Sequence, residues 1–247
     1  MNRFVSIVIP VHNESENIKK LIHRIKKSLD GTHLPFEIIV VNDASQDNTL
    51  DILREMLVDV SSLRVLSHKQ NCGQSTAIYT GVIAANGNII VTLDGDGQND
   101  PFDIPRLVYL LEKNECGNLQ MVAGFREKRK DTGWVRLSSK IANRIRVFSL
   151  KDNTPDTGCG LKVFYRDTFL KFPYFDHMHR FLPALVKRQG GEVISHKVNH
   201  MDREHGISHY GTWDRLKVGV VDLFGVLWLL RRVKLAETCE HNKHEYK

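Results

Sequence analysis

The chain has 247 residues, 41% hydrophobic and 26% charged, enough for one large α/β domain with a sizeable core and no need for a second. Its formal charge of +6 and isoelectric point near 9.1 favour an anionic partner such as nucleotide phosphate, lipid phosphate or nucleic acid. Cys72, Cys116, Cys159 and Cys239 form no C-x-x-C pair, which argues against a zinc knuckle or a disulfide framework and for reduced thiols in a cytosolic compartment.

The N-terminus opens directly on a strand-like run, so no signal peptide is expected, and no apolar stretch reaches the ~18 residues of a membrane span. Phe4 to Pro10 is β-branched and apolar, as in a strand buried on both faces. Ile18, Leu21, Ile22, Ile25 and Leu29 then recur at helical spacing within Asn17 to Leu29. A strand over Glu37 to Val41, a helix over Thr49 to Val58 and a short strand over Leu63 to Leu66 follow. Next come a helix over Gln74 to Ala85 and a buried strand over Asn88 to Leu93. Strands alternating with helices across short polar loops predict a mainly parallel, doubly wound sheet.

The second half is less regular. Strands are predicted at Gln120 to Gly124, Leu161 to Tyr165 and Glu192 to Asn199, and helices at Trp134 to Leu150, Arg180 to Gln189 and Trp213 to Lys234. Residues 1–211 are read as the catalytic domain, and 212–247 as an amphipathic helix with a polar tail.

Polar residues gather just after the predicted strands, where open parallel sheets bind ligands: His12, Asn13 and Glu14; then Asn42 to Ser45; then Asp94, Gly95, Asp96, Gly97 and Gln98. Each cluster alone is ordinary turn chemistry. Together they mark one site. VHNESEN after the first strand is not the glycine-rich turn of dinucleotide-binding proteins, and no G-x-x-x-x-G-K-[ST] occurs. Phosphate charge must then be met otherwise, and Asp94 and Asp96, with Gln98 as a third oxygen ligand, suit Mg²⁺ or Mn²⁺. A calcium loop starting at Asp94 fails because its sixth position is Asn99 and its twelfth Pro105. A dehalogenase-type phosphatase would want aspartates where His12 and Asn13 stand. His196, His200, His205 and His209 crowd one stretch, but no cysteine or glutamate completes a zinc spacing.

The series Pro10-x-x-Asn13-Glu14, Val41-Asn42-Asp43-x-Ser45, Asn71-x-Gly73 and Leu93-Asp94-Gly95-Asp96-x-Gln98-x-Asp100-Pro101 resembles family 2 glycosyltransferases of GT-A fold. Asp156 to Lys162, His179 to Leu185 and Arg203-x-x-Gly206-x-Ser208-x-Tyr210 are similar to the polyprenyl-phosphate transferases within it. The resemblance implies that Pro10, Asn13, Glu14 and Asp43, with Asp94, Gly95 and Asp96, hold the nucleotide sugar. It implies that Asp94, Asp96 and Gln98 hold the metal and diphosphate, and that Arg126, Arg136, Arg203 and Ser208 grip phosphate. Asp94, Asp96 and Arg203 are the expected catalytic residues.

Relatives acting on hydroxyl acceptors carry an acidic base where this chain has His179-Arg180. A lipid phosphate is already an anion at neutral pH and needs no base, so the pair favours a phosphate nucleophile, with His179 as a base the alternative. The implied function is inverting transfer of a sugar from a UDP- or GDP-sugar to a polyprenyl phosphate. Transfer to a sugar hydroxyl and non-catalytic nucleotide-sugar binding are the rivals. Nucleic acid is not an expected partner, because aromatic residues do not interleave with the basic ones. Val218 to Leu230, followed by Arg231, Arg232 and Lys234, suits the interface of an anionic membrane, which implies peripheral attachment to the cytoplasmic face; a core or homo-oligomer-forming helix is the alternative.

Overall fold

A computed structural model describes residues 3–113, 117–127, 150, 152, 154–201 and 212–234. The predicted strands appear as β1 (Val5–Val11), β2 (Phe36–Asn42), β3 (Leu63–Ser67), β4 (Ile89–Thr92), β5 (Leu119–Phe125), β6 (Lys162–Tyr165) and β7 (Glu192–Lys197). They form one seven-stranded sheet in the order β3-β2-β1-β4-β6-β5-β7. The pairs among β1 to β4, and β5 with β7, are parallel, whereas β6 runs antiparallel to both β4 and β5. The predicted sheet is thus mainly parallel as expected, with one reversed strand.

Every residue of β1 is buried, because helices cover both faces of the sheet. On one face pack α1 (Ile18–Asp30), α2 (Thr49–Asp59) and α4 (Ile104–Glu112); Ile18, Leu21, Ile22, Ile25 and Leu29 of α1 supply its apolar stripe. On the other lie α3 (Gln74–Ala84), α5 (Arg166–Leu170) and α6 (Leu182–Arg188), packed on Val8, Ile39, Ile90 and Phe164. The helix expected from Arg180 begins later: Met178–Arg180 is a 3-10 turn, and α6 starts with Pro183 in its first turn, where a missing N–H costs nothing. Helix α4 was not among the expected elements. Pro101 and Pro105 suggest a loop, yet each sits in the first turn of a helical segment, with Asp100 accepting from the Phe102 N–H at 3.2 Å. The predicted helix Trp134 to Leu150 lies, apart from Leu150, outside the described residues.

The last helix, α7 (Thr212–Arg231), leans on α6: Val226, with Leu223, Leu227 and Leu230, packs against Phe181, Ala184 and Leu150. At the sheet's amino edge Ser6 of β1 donates to Glu37 at 2.7 Å, and Glu37 also accepts from Arg64 and from the Asn86 main chain. Burial raises the Glu37 pKa, but these hydrogen bonds outweigh it and hold the carboxyl below its usual range. This knot is structural and faces away from the ligand end. At the carboxyl edge, strand order reverses between β1 and β4, and a parallel sheet opens a crevice at such a switch point.

Candidate active site

The crevice is floored by the residues that follow β4. Asp94 is half-buried, its N–H donating to the Asn99 side chain at 3.2 Å and its Oδ1 accepting from Gln74 Nε2 at 2.8 Å. Asp96 stands beside it and accepts from the Gln98 N–H at 3.1 Å. Burial, and then the neighbouring Asp96, push the Asp94 carboxyl up to about 6, against the pull of Lys162 and Arg126. Two crowded carboxylates of this kind suit a divalent cation, whose charge relieves the repulsion and whose preference is for hard oxygen. Among the described residues, the Asp94 and Asp96 carboxylates therefore fit Mg²⁺ or Mn²⁺, with Gln98 tied to Asp96 through its main-chain N–H.

Behind Asp94 runs the segment entering β6. Gly160 lies so close that a Cβ there would overlap the Asp94 carboxylate, so any larger residue would have to push that carboxylate aside. Thr92 Oγ1 donates to the Gly160 carbonyl at 2.7 Å, and the buried Lys162 ammonium donates to the carbonyls of Cys159 and Thr157. Burial lowers the Lys162 pKa, opposed by Cys159, Asp94 and Asp156. Sequence reasoning gave Lys162 no role of its own, although it closes the Asp156 to Lys162 motif. Arg126 is brought to the same place, but in a bidentate pair with Asp156, Nε–Oδ2 2.7 Å and Nη2–Oδ1 3.0 Å. Much of its fork is therefore committed within the chain.

The nucleotide side is built from β1 and β2. Asn13, at φ 58°, donates its N–H to Ser45 Oγ and accepts from the Gln46 N–H; Glu14 donates its N–H to Thr49 and accepts from the Asn17 side chain. Pro10 is buried in β1, and Gly95 packs against its carbonyl. Asp43 is buried and turned inward. It accepts from the N–H groups of Cys72 (2.9 Å) and Gly73 (2.7 Å) and pairs with His68 at 2.7 Å. Asp43, His68 and Cys72 lie within 4.8 Å of one another. The carboxylate's hydrogen bonds make the trio a knot that fixes the loop before α3, where Gly73 adopts φ 85°. Of the histidine cluster, His196 accepts from Arg106 Nε at 3.2 Å and His200 bridges to Asn99; neither joins a zinc cage among the described residues. Arg136, Arg203, Ser208, His205 and His209 lie outside the described residues.

An acidic pair at the switch point of a mainly parallel sheet defines an α/β fold with a candidate cation site at its ligand edge. Residues 6–172 match glycosyl transferase family 2, and the chain belongs to that family. Dodecaprenyl-phosphate galacturonate synthase of Rhizobium johnstonii is 35% identical over 236 residues, covering 92% of this chain and 67% of that protein. Undecaprenyl-phosphate 4-deoxy-4-formamido-L-arabinose transferase of Edwardsiella ictaluri is 34% identical over 212 residues, covering 85% of this chain and 63% of that protein. The chain thus spans roughly two thirds of the length of these relatives. The fold is GT-A: a mannosyltransferase from Pyrobaculum calidifontis, solved with GDP-Man and Mn²⁺, superposes with TM-score 0.69 at 20% identity over 94% of this chain and 65% of that one. Glucosyl-3-phosphoglycerate synthase of Mycobacterium tuberculosis, with Mn²⁺, UDP and phosphoglyceric acid, gives 0.65 at 21% identity over 95% and 80%.

Proposed function

We propose that the chain transfers a sugar from a UDP- or GDP-sugar to a polyprenyl phosphate, with inversion at the anomeric carbon. The observation that carries this reading is the Asp94/Asp96 pair, connected through Gln74 and Ser75 to a turn, Met178–Arg180, that holds His179-Arg180 in place of an acidic pair. Similarity to polyprenyl-phosphate sugar transferases supports the acceptor class. Asp94, Asp96 and Gln98 would hold Mg²⁺ or Mn²⁺, which when bound neutralises the diphosphate and its developing charge. Pro10, Asn13 and Glu14 line the nucleotide side, and Asp43 shapes that wall through Cys72 and Gly73. The acceptor's phosphate oxygen attacks the anomeric carbon as the bond to the diphosphate breaks, and the nucleoside diphosphate leaves. No proton need be removed from the nucleophile. Arg126, Arg136, Arg203 and Ser208 are assigned to phosphate contact, Arg126 through whatever its pairing with Asp156 leaves open.

Attachment is assigned to the cytoplasmic face of an anionic membrane. Among the described residues no helix is long and apolar enough to cross a bilayer. Helix α7 exposes Val220, Val221, Phe224 and Trp228, and Arg231 and Arg232 follow, with Arg232 5.8 Å from the Trp228 ring. The deciding experiment offers a panel of UDP- and GDP-sugars with undecaprenyl phosphate and follows nucleoside diphosphate release. Turnover should need Mn²⁺ or Mg²⁺, stop in chelator, and fall at least a hundredfold, roughly the size of a lost charge-stabilising group, in Asp96→Ala. Turnover with sugar acceptors but not with the lipid phosphate would overturn the acceptor class, and activity in excess chelator the metal role.

A further inference from the structure

His179, in the acceptor-side turn, makes a polar contact back to the nucleotide half. Its partner is Ser75, almost wholly buried in the first turn of α3. Ser75 Oγ meets two atoms of the same residue: the His179 N–H at 3.3 Å and Nδ1 at 2.7 Å. A hydroxyl has one proton to give. The main-chain N–H of His179 can only donate, so it takes a lone pair of Oγ. Among the described residues, Nδ1 is then the acceptor at hydrogen-bond distance for the Ser75 proton. That arrangement fixes a neutral ring with its own proton on Nε2. Neither nitrogen is left with a free lone pair. Burial, followed by Lys162, Arg180 and His177, holds the ring pKa well below its usual value, in keeping with a neutral ring.

The residue before Ser75 is Gln74, whose amide donates to Asp94 Oδ1 at 2.8 Å. The main chain at Gln74 is held from one side by Gly73, through its N–H on Asp43, and from the other by the Ser75–His179 contact. Behind the turn, His177, at φ 61°, has Nδ1 3.0 Å from Asp222 Oδ2 of α7, close but without hydrogen-bond geometry. We infer that His179 is a positioning residue for the cation-binding carboxylate, acting through Ser75 and Gln74 on Asp94, and does not accept a proton from the acceptor. The inference rests on the metal role proposed above for Asp94. Groups that orient a metal ligand from outside its immediate shell change affinity or activity about 10- to 100-fold when removed.

The test uses the full chain, with Mn²⁺ titrated by calorimetry and by its effect on turnover, and melting curves to confirm folding. His179→Ala should weaken Mn²⁺ binding about tenfold or more. Ser75→Ala should do the same, and the double variant should be no worse than either single one, because both remove the same contact. His179→Asn places an amide oxygen where Nδ1 stood, so it can still accept from Ser75. It should stay within a few-fold of the parent in Mn²⁺ binding and kcat, with an unchanged pH profile. A base would be lost equally in both His179 variants, so an Asn variant as inactive as the Ala variant overturns the proposal. Parent-like Mn²⁺ affinity in a folded His179→Ala or Ser75→Ala protein overturns it as well. Failure of the parent chain to bind Mn²⁺ is a different result, and it would remove the metal reading along with the relay.

Discussion

Asp94 is asked to do two opposed things: to sit half-buried beside a second carboxylate and to be charged when the cation arrives. Its pKa of about 6, against 3.8 for an unperturbed aspartate, measures that conflict. The raised value means that the metal-free fold binds the proton more tightly than the unfolded chain does. This group's contribution to stability is therefore present at low pH and lost as pH rises from about 4 through about 6. A divalent cation should cancel the loss by binding the ionised form. The rise in melting temperature produced by saturating Mn²⁺ is expected to be large at pH 7.5 and to shrink steadily below pH 6. Thermal melts with and without the ion across that range provide the check, and a pH-independent increment would place the cation elsewhere. Gly160 sets the same carboxylate by contact. Gly160→Ala puts a methyl into the Asp94 oxygens, and the rigid segment held by Lys162 and Thr92 has little room to retreat. Loss of Mn²⁺ binding, together with a destabilisation of roughly 1–3 kcal/mol typical of overpacking, is expected.

Helix α7 has two apolar sides with different fates. Val226 is 2% exposed against Phe181 and Ala184, while Trp228, two residues on, is 61% exposed. Val226→Ala should cost roughly 1–3 kcal/mol of stability through lost burial, and Trp228→Ala should change it by no more than about 0.5 kcal/mol. Denaturant titrations of both variants test the contrast. The same helix shows how far sequence pattern reaches. Its existence was legible from apolar content, but which side meets the body was not, because apolar residues occur all round it and the choice is made by Leu150, Phe181 and Ala184. The strands and α1 to α3 were legible because burial on both faces or along a single stripe leaves a periodic record. Helix α4 was hidden by Pro101 and Pro105, whose usual meaning is a break. The reversed direction of β6 was hidden too, since a four-residue strand, KVFY, carries no sign of direction. At the site, Asp94 and Asp96 could be read from spacing. Ser75, Gln74 and Gly160 could not, because their roles come from contacts across 20 or more positions of the chain.

Over the whole molecule, the membrane attachment proposed above would draw on both the basic excess and the exposed strip of α7. Arg188 of α6 donates to the Leu229 carbonyl at 3.2 Å, which brings the basic ends of α6 and α7 together beside Trp228. On anionic vesicles each basic residue near the surface adds about 1 kcal/mol, falling within a Debye length as salt rises, and the apolar strip adds a part that salt does not remove. Flotation should therefore be strong at low salt and partial at high salt, and Trp228→Ala should mainly reduce the high-salt remainder. Salt-independent flotation of that variant, or none by the parent, would separate this surface from the membrane.

The reversed strand has a consequence for how the acceptor half is anchored. Because β6 runs against its neighbours, it begins at the edge where β5 ends, and the chain leaves and re-enters the sheet at almost one point. Gly124 and Leu161 are joined there by a main-chain hydrogen bond of 2.9 Å, and Arg126 and Asp156 clasp the two feet just beyond. The excursion between those feet is held at its base. Toward the second foot, Leu150, Asp152 and Thr154 are buried, and Leu150 packs with Phe181, Ala184 and Val226, so the return of the excursion belongs to the body of the domain.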